Sequence, residues 1–341
     1  MGHSIHVQPS GHRFVAEQGE SILDAALRQG FTLPYNCRNG ACGTCIGRVL
    51  EGRVRYEERW PALADLDTAQ GEALFCHAIP EGDLVIASNE IAVPPEVRIR
   101  TLPCKVVKKE LLCHDVMRLW LKPPEALPLR FLAGQYLDIL TPEGHRSFSI
   151  ANAPEESNLI ELHIRHVDGG EFTHYIFHEL QEKTVWRIEA PLGTFFLRQD
   201  TDRPVLLMGG GTGFAPLKGI LEHAFRSGDE RPMHLFWGVR ALHDLYLPDL
   251  PRQWEREHPN FRFTPVLSHP LAEDDWDGET GFVHETLLRA YPDLSGYDLY
   301  MSGPPAMIHA ARDEFLEHGL NRERAFSDAF EFNSLPGHAA A

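Results

Sequence analysis

Four of the six cysteines in this 341-residue chain dictate how its first third must fold. Cys37, Cys42 and Cys45 are separated by four and then two residues, and Cys76 follows after thirty more. That is the plant-type spacing for a 2Fe-2S cluster. The run Cys37-Arg38-Asn39-Gly40-Ala41-Cys42-Gly43-Thr44-Cys45 has to be a loop presenting three thiolates to one centre, with Cys76 brought in from a distant segment. Gly40 and Gly43 permit the positive-φ turns such a loop requires. Small Ala41 and Thr44 leave main-chain N–H groups free to face the sulfurs, which stabilises the added negative charge on reduction. A zinc ribbon would want a second C-x-x-C pair beside Cys42 and Cys45, and there is only one. Three cysteines crowded within nine residues, with glycines between them, also make a poor disulfide framework. Cys104 and Cys113 lie in apolar surroundings and are expected to be ordinary buried thiols.

A cluster of this kind moves one electron at a time and has no substrate pocket of its own. The rest of the chain must therefore supply the source and the destination of the electrons. Its length gives room for two or three domains. A formal net charge of −17, with no one-sided Lys/Arg surface, excludes nucleic acid as a partner. No apolar run approaches the ~20 residues of a membrane span. The opening Met1-Gly2-His3-Ser4-Ile5-His6-Val7 lacks the charged region and apolar stretch of a secretory signal. Free cysteines, a cluster loop and no export signal together lead us to expect a cytoplasmic protein.

The sequence grammar changes twice, which predicts a multidomain α+β protein of three segments. Residues 1–92 begin with two short alternating strands around a Pro-Ser-Gly turn, then a helix capped by Ser21 and closed by Gly30, the cysteine loop, and a final strand over Asp83-Leu84-Val85-Ile86-Ala87. Val93-Pro94-Pro95-Glu96-Val97-Arg98 reads as a stiff linker. Residues 99–200 carry many short β patterns with turn signals between them, which suggest a small antiparallel β-barrel. From 201 to 335 the pattern becomes strand–loop–helix, with apolar strands over Val205-Leu206-Leu207-Met208, His234-Leu235-Phe236-Trp237 and Asp298-Leu299-Tyr300-Met301-Ser302. That is a parallel α/β unit.

Three short motifs carry chemistry. Gly209-Gly210-Gly211-Thr212-Gly213 joins a buried strand to a helix, so its N–H groups can approach a phosphate. It is neither a P-loop nor a strict G-x-G-x-x-G, because Phe214 takes the last glycine position. Arg146-Ser147-Phe148-Ser149 offers a guanidinium for a phosphate, a ring for an isoalloxazine and a hydroxyl for its polar edge. His163-Ile164-Arg165 precedes Gly169-Gly170-Glu171-Phe172-Thr173, where a glycine pair opens a helix as another phosphate-type loop. None of the 19 histidines is assigned to a metal.

Taken together, Arg146-Ser147-Phe148-Ser149, Gly170-Glu171-Phe172-Thr173, Gly210-Gly211-Thr212-Gly213 and Ser302-Gly303-Pro304-Pro305 resemble the ferredoxin–NADP reductase superfamily. With the cysteine segment in front, the chain is similar to the reductase components of bacterial oxygenases. It is also similar to the CDP-6-deoxy-Δ3,4-glucoseen reductases, by the run Pro34-Tyr35-Asn36-Cys37 onward and by Phe326-Ser327-Asp328-Ala329-Phe330. The resemblance implies a β-grasp ferredoxin domain, an antiparallel β-barrel flavin domain and a parallel α/β nucleotide-binding domain. It implies that Arg146, Ser147, Phe148 and Ser149 meet FAD, and that His163, Ile164 and Arg165 run past the flavin. Gly170, Glu171, Phe172 and Thr173 would lie at its pyrophosphate. Gly210, Gly211, Thr212 and Gly213 would meet the nicotinamide dinucleotide, Ser302, Gly303 and Pro304 would shape the nicotinamide pocket, and Phe330 would cover the flavin ring. Ser149, Ser302 and Phe330 are thus the expected catalytic set. Two positions depart from relatives: Phe148 stands where many carry tyrosine, and Ser302 where plant-type reductases carry cysteine.

The parts imply a route from NAD(P)H through FAD and the cluster to a protein electron acceptor, either a dehydratase or an oxygenase component. NADH is expected rather than NADPH. The segment facing the adenosine ribose, Val266-Leu267-Ser268-His269-Pro270, has no fixed positive charge, and Arg240 is the one residue that could reverse this. A monomer or weak dimer is expected. A stand-alone reductase of flavin, quinone or ferric complexes is a second enzyme reading, and a redox sensor is the non-enzymatic one.

Overall fold

Period-two alternation at the start of the chain, with Ile5 and Val7 inward and Gln8 outward, makes strand His3–Gln8. It pairs antiparallel with Arg13–Ala16. The Ser21 hydroxyl accepts the Asp24 N–H at 3.1 Å and starts helix Ile22–Arg28. Gly30, at φ 86°, closes that helix by donating to the Leu27 carbonyl at 3.1 Å. Strand Leu84–Ala87 then returns to pair in parallel with His3–Gln8. Strands Ile46–Glu51 and Glu72–Leu74 complete a five-stranded mixed sheet, and Ile22, Leu23, Ala25 and Ala26 of the helix are buried in its core. This is the expected β-grasp. It lies within the first of two units into which the chain divides, Met1–Pro95 and Glu96–Ala341. The computed structural model describes residues 2–156 and 158–329.

The second unit opens with six antiparallel strands in the spatial order Gly144–Ser149, Tyr136–Thr141, Val185–Leu192, Arg100–Cys113, Val116–Lys122, Ile160–Arg165. A bridge between Ile150 and Leu162 joins the outermost strands and closes the sheet into a barrel. Leu119, Leu121, Leu137, Ile139 and Ile188 fill it. Cys104 points into this core and is wholly buried. Cys113 is only partly buried, contrary to expectation. A register shift between Leu111 and Cys113 turns it toward the tip of the hairpin, where its Sγ lies 3.3 Å from Asp115 Oδ1.

The remaining chain builds six parallel strands in the order Glu279–Thr280, Phe261–Leu267, Met233–Val239, Val205–Gly210, Asp298–Gly303, Ala325–Ala329. The all-apolar run Val205-Leu206-Leu207-Met208 takes a central place because both its faces are covered. From Val205–Gly210 the chain first winds one way along the sheet, then returns to add Asp298–Gly303 on the other side. The crevice at the carboxyl ends of these two neighbours is the topological switch point, where open α/β sheets bind their ligands.

Candidate cofactor sites

The cysteine loop holds its shape through three positive-φ residues, Arg38 at 55°, Gly40 at 76° and Gly43 at 72°. A Cβ on Gly40 would lie 2.8 Å from Trp60 Cβ, so the ring caps the loop only because glycine stands there. The four thiols form a connected set: Cys37 bonds Cys42, Cys42 faces Cys45, and Cys45 bonds Cys76. The N–H groups of Asn39, Gly40, Cys42 and Thr44 are aimed at the sulfurs. The Thr44 hydroxyl, 3.4 Å from Cys42 Sγ, adds a donor that spacing alone does not reveal. Hydrogen bonds from Cys37 and Cys45 hold the Cys42 and Cys76 thiols below their ordinary range. Four converging sulfurs with main-chain donors around them fit a 2Fe-2S cluster, whose potential such donors tune.

In the second unit the flavin motifs come together on the barrel. Phe148 and Phe172 face each other at 6.1 Å with planes 27° apart, which sets Arg146-Ser147-Phe148-Ser149 beside the loop Gly169–Thr173. That loop leads into helix Glu171–His178, with Gly170 as its N-cap. The Thr173 hydroxyl is already engaged, accepting the Val167 N–H at 3.1 Å and bonding the Gly170 carbonyl at 3.1 Å. It holds the loop closed, and the Gly170 N–H is also spent on the Val167 carbonyl at 2.9 Å, so the donors left to a ligand are the first-turn N–H groups of the helix. Arg146 is half-buried, and its Nη1 donates to the His145 carbonyl at 2.9 Å. Ser147 turns away to Asp138 at 2.5 Å. These polar groups around a partly apolar wall fit a dinucleotide flavin.

His163 and Ile164 do not present their side chains to a ligand. Ile164 points into the barrel core. The His163 side chain is wholly buried between Tyr246 Oη at 3.0 Å and Glu161 Oε1 at 2.9 Å. The reason is a fastening between barrel and α/β layer that sequence patterning does not show. Lys218, on helix Phe214–Ser227, donates to the Ala151 carbonyl and to Glu161 Oε2, both at 3.0 Å, and meets Glu222 Oε1 at 2.8 Å. Burial raises the Glu161 carboxyl, but His163 and Lys218 outweigh it and hold it at about 2. Burial likewise pushes His163 below the ordinary imidazole range, against the pull of the Glu161 carboxylate. Of the three candidate residues on this strand only Arg165, at its end, is partly exposed.

Arg165 lies against the glycine loop. A Cβ on Gly211 would lie 2.8 Å from Arg165 Nη1, and Arg165 Nε meets Asp115 Oδ2 at 2.9 Å. The loop itself is a short 3-10 turn, Gly211–Gly213, between strand Val205–Gly210 and helix Phe214–Ser227. A Cβ on Gly213 would be 2.0 Å from the Ser302 carbonyl oxygen, so only glycine lets the loop seat against the neighbouring strand end. Ser302 is fully buried there, and its hydroxyl has no hydrogen-bond partner among the described residues. An orphaned hydroxyl beside Gly303 and Pro304 fits a pocket whose occupant completes it. Next to it in the sheet, Asp328 pairs with Ser302 in register and accepts a hydrogen bond from Ser149 Oγ at 2.9 Å. Asp328 thus ties Ser149 of the barrel to the strand beside Ser302. It stands in the quoted Phe326–Phe330 run, but its role depends on a pairing across the whole unit.

Arg240 is exposed just beyond strand Met233–Val239, and its carbonyl accepts the His269 N–H at 2.8 Å. The two segments expected to decide ribose recognition are therefore adjacent. Phe330 lies outside the described residues.

Comparison with known proteins places these sites in a family. Residues 5–81 match the 2Fe-2S iron-sulfur cluster binding domain, 103–197 the oxidoreductase FAD-binding domain and 207–313 the oxidoreductase NAD-binding domain. The chain is 39% identical over 330 residues to a CDP-6-deoxy-L-threo-D-glycero-4-hexulose-3-dehydrase reductase of Yersinia pestis, covering 97% of this chain and 99% of that protein. It is 35% identical over 340 residues to a phenol hydroxylase P5 protein of Acinetobacter pittii, covering 96% of each. Among solved structures, a cytochrome P450 reductase from Amycolatopsis superposes with a TM-score of 0.80 at 34% identity, over 96% of this chain and 98% of that one. Among the described residues no helix is long and apolar enough to cross a membrane. With cluster, flavin and nucleotide segments each matched and full-length relatives named as reductases, the chain belongs to the family of iron–sulfur flavoprotein reductases and is an NAD(P)H-dependent electron-transfer oxidoreductase carrying 2Fe-2S and FAD.

Proposed function

We propose that this reductase draws its electrons from NADH and delivers them singly, through the cluster at Cys37, Cys42, Cys45 and Cys76, to a dehydratase that acts on a nucleotide-linked deoxyhexulose. The observation that carries the choice of acceptor is the likeness over 97% of the chain to a hexulose dehydrase reductase at 39% identity. A flavin takes up two electrons together and gives them back one at a time, which is the chemistry FAD supplies between a nicotinamide and a one-electron cluster. The protein's share is positioning and electrostatics. Arg146, Ser147 and Phe148 bind and flank the flavin, and Ser149, held by Asp328, orients its polar edge. The main chain of Gly170, Glu171, Phe172 and Thr173 meets the flavin pyrophosphate. Gly210, Gly211, Thr212 and Gly213, with Arg165 beside them, meet the nucleotide, while Ser302, Gly303 and Pro304 hold the nicotinamide against the flavin. The absence of fixed positive charge in Val266–Pro270 supports NADH. We propose the domain limits 1–92, 99–200 and 201–335, a monomer or weak dimer, and the cytoplasm as its compartment.

A second reading, a reductase component of an oxygenase or hydroxylase, is favoured by the likeness to the phenol hydroxylase protein over 96% of both chains. Stopped-flow reoxidation of the NADH-reduced protein separates the two. A sugar-nucleotide dehydratase should reoxidise the cluster faster than an aromatic oxygenase component by roughly tenfold or more, about 1.4 kcal/mol in barrier. The reverse order would give the assignment to the oxygenase reading.

A further inference from the structure

Three histidines outside the redox sites converge on one point. His174 and His178 stand four residues apart on helix Glu171–His178, so both rings lie on one face. Their centroids are 4.4 Å apart. His166, just beyond strand Ile160–Arg165, turns its ring toward both of them, at 6.5 Å from His174 and 6.2 Å from His178. One ring nitrogen from each lies within 4.8 Å of the other two. Chance crowding of exposed histidines would leave their nitrogens to water. Here, however, His166 Nε2 is shut off from solvent and has no hydrogen-bond partner among the described residues. The Asp168 carboxylate lies 3.8 Å from its Nδ1. At that distance the carboxylate does not hydrogen-bond the ring, but its charge favours a proton on Nδ1 and a free Nε2 lone pair.

We propose that His166, His174 and His178 form a binding site for a first-row divalent cation of the zinc or nickel class. Three imidazoles plus a water satisfy the preferred coordination of such ions, whereas magnesium and calcium want oxygen. Tetrahedral zinc at about 2.0–2.1 Å from nitrogen needs ligand atoms roughly 3.4 Å apart. The exposed rings of His174 and His178 reach that spacing by side-chain rotation. The placement gives the ion a consequence. His166 and His174 bracket residues 167–173, the loop assigned above to the flavin pyrophosphate, so a bound ion fastens both ends of that loop. This consequence rests on the proposed flavin assignment, but the metal site does not.

The test uses the untagged holoprotein, with cluster and flavin loaded, dialysed against zinc sulfate. Zinc and iron are counted separately by mass spectrometry. The wild type should bind one zinc per chain. His174→Gln and His178→Gln should each weaken binding at least ~10-fold, since losing a ligand costs no less than losing its outer partner. His114→Gln, at a separate cluster with His243 and Asp244, serves as the control and should bind zinc unchanged. Zinc should also slow thermal release of FAD in the wild type but not in His174→Gln. Zinc bound equally by the wild type, His174→Gln and His178→Gln overturns the proposal, as does zinc bound by none of them. Zinc binding that depends on His174 and His178 but leaves FAD release untouched upholds the site and refutes the pyrophosphate role of the loop instead.

Discussion

Replacing Lys218 by methionine isolates the fastening between barrel and α/β layer. Methionine keeps the unbranched apolar stem, one atom shorter, but removes a cation whose Nζ meets three acceptors between 2.8 and 3.0 Å. Glu161, only 7% exposed, then keeps a buried charge with Glu222 close by and no lysine between them. Breaking one side of a buried pair costs ~3–5 kcal/mol. A second route agrees: holding a carboxyl at about 2 rather than 4.5 corresponds to about 3 kcal/mol, shared between His163 and Lys218. The sign of the pH dependence follows. In the wild type the Glu161 value is depressed, so its contribution is present above 4.5 and is lost as pH falls toward 2. In Lys218→Met the same carboxyl keeps only the more distant Arg118, 3.7 Å away, as a cationic neighbour, and it rises, so it protonates more readily on mild acidification. The deficit should therefore be largest near pH 8, at ~3 kcal/mol or more, and smaller by at least ~1 kcal/mol near pH 5.5. Denaturant unfolding followed by flavin fluorescence at the two pH values measures it. A deficit below ~1 kcal/mol, the range of an exposed pair, would refute the argument. A deficit independent of pH would refute its electrostatic half.

Four further outcomes are expected. Cys42→Ser should lose iron while NADH-driven ferricyanide reduction stays largely intact; simultaneous loss of the flavin would contradict separate sites for cluster and flavin. Gly213→Ala should retain FAD but lose at least ~10-fold in kcat/KM for NADH, about 1.4 kcal/mol, because its Cβ meets a carbonyl oxygen that cannot retreat. Kinetics within twofold of wild type would remove the loop from the nucleotide site. Ser302→Ala should leave thermal stability unchanged, since the hydroxyl it removes has no partner among the described residues, yet slow flavin reduction by NADH in stopped flow. A lowered melting temperature with normal reduction would make Ser302 a packing residue. Arg240→Ala should barely alter NADH use; equal kcat/KM for NADH and NADPH in the wild type, with NADPH use lost in this variant, would reverse the cofactor assignment.

Local features were legible in the sequence because their causes are local. The cluster loop declares itself through spacing and glycines, the first helix through Ser21 and Gly30, and the nucleotide loop through an apolar strand running into glycines. Distance in the chain defeats this logic. Period-two alternation sets His163 and Ile164 on opposite faces of a strand but does not say what covers either face. Ile164 went to the barrel core and His163 to Tyr246 of the next layer, with Glu161 on its other side. Cys113 sits in an apolar run, yet a bulge carried it toward the surface. Thr173 belongs to the phosphate-type motif, while its hydroxyl is spent within the loop. Asp328 was in view as part of a family-like run, but nothing near it in sequence announces Ser149 as its partner.

That last pairing bears on the order in which the enzyme can be made. Ser149 and Asp328 are 179 positions apart, and Asp328 belongs to the strand Ala325–Ala329 at the sheet edge. Synthesis proceeds from the N-terminus, and early-emerging segments fold first. The β-grasp unit and the barrel strands can be complete while the ribosome is still translating the α/β layer. The junction between Ser149 of the barrel and the strand carrying Asp328 cannot be. A nascent chain arrested before Asp328 holds every cysteine and the whole barrel and still lacks the residue that joins Ser149 to the sheet edge. Joining of the barrel to this strand is thereby deferred until the α/β layer has emerged.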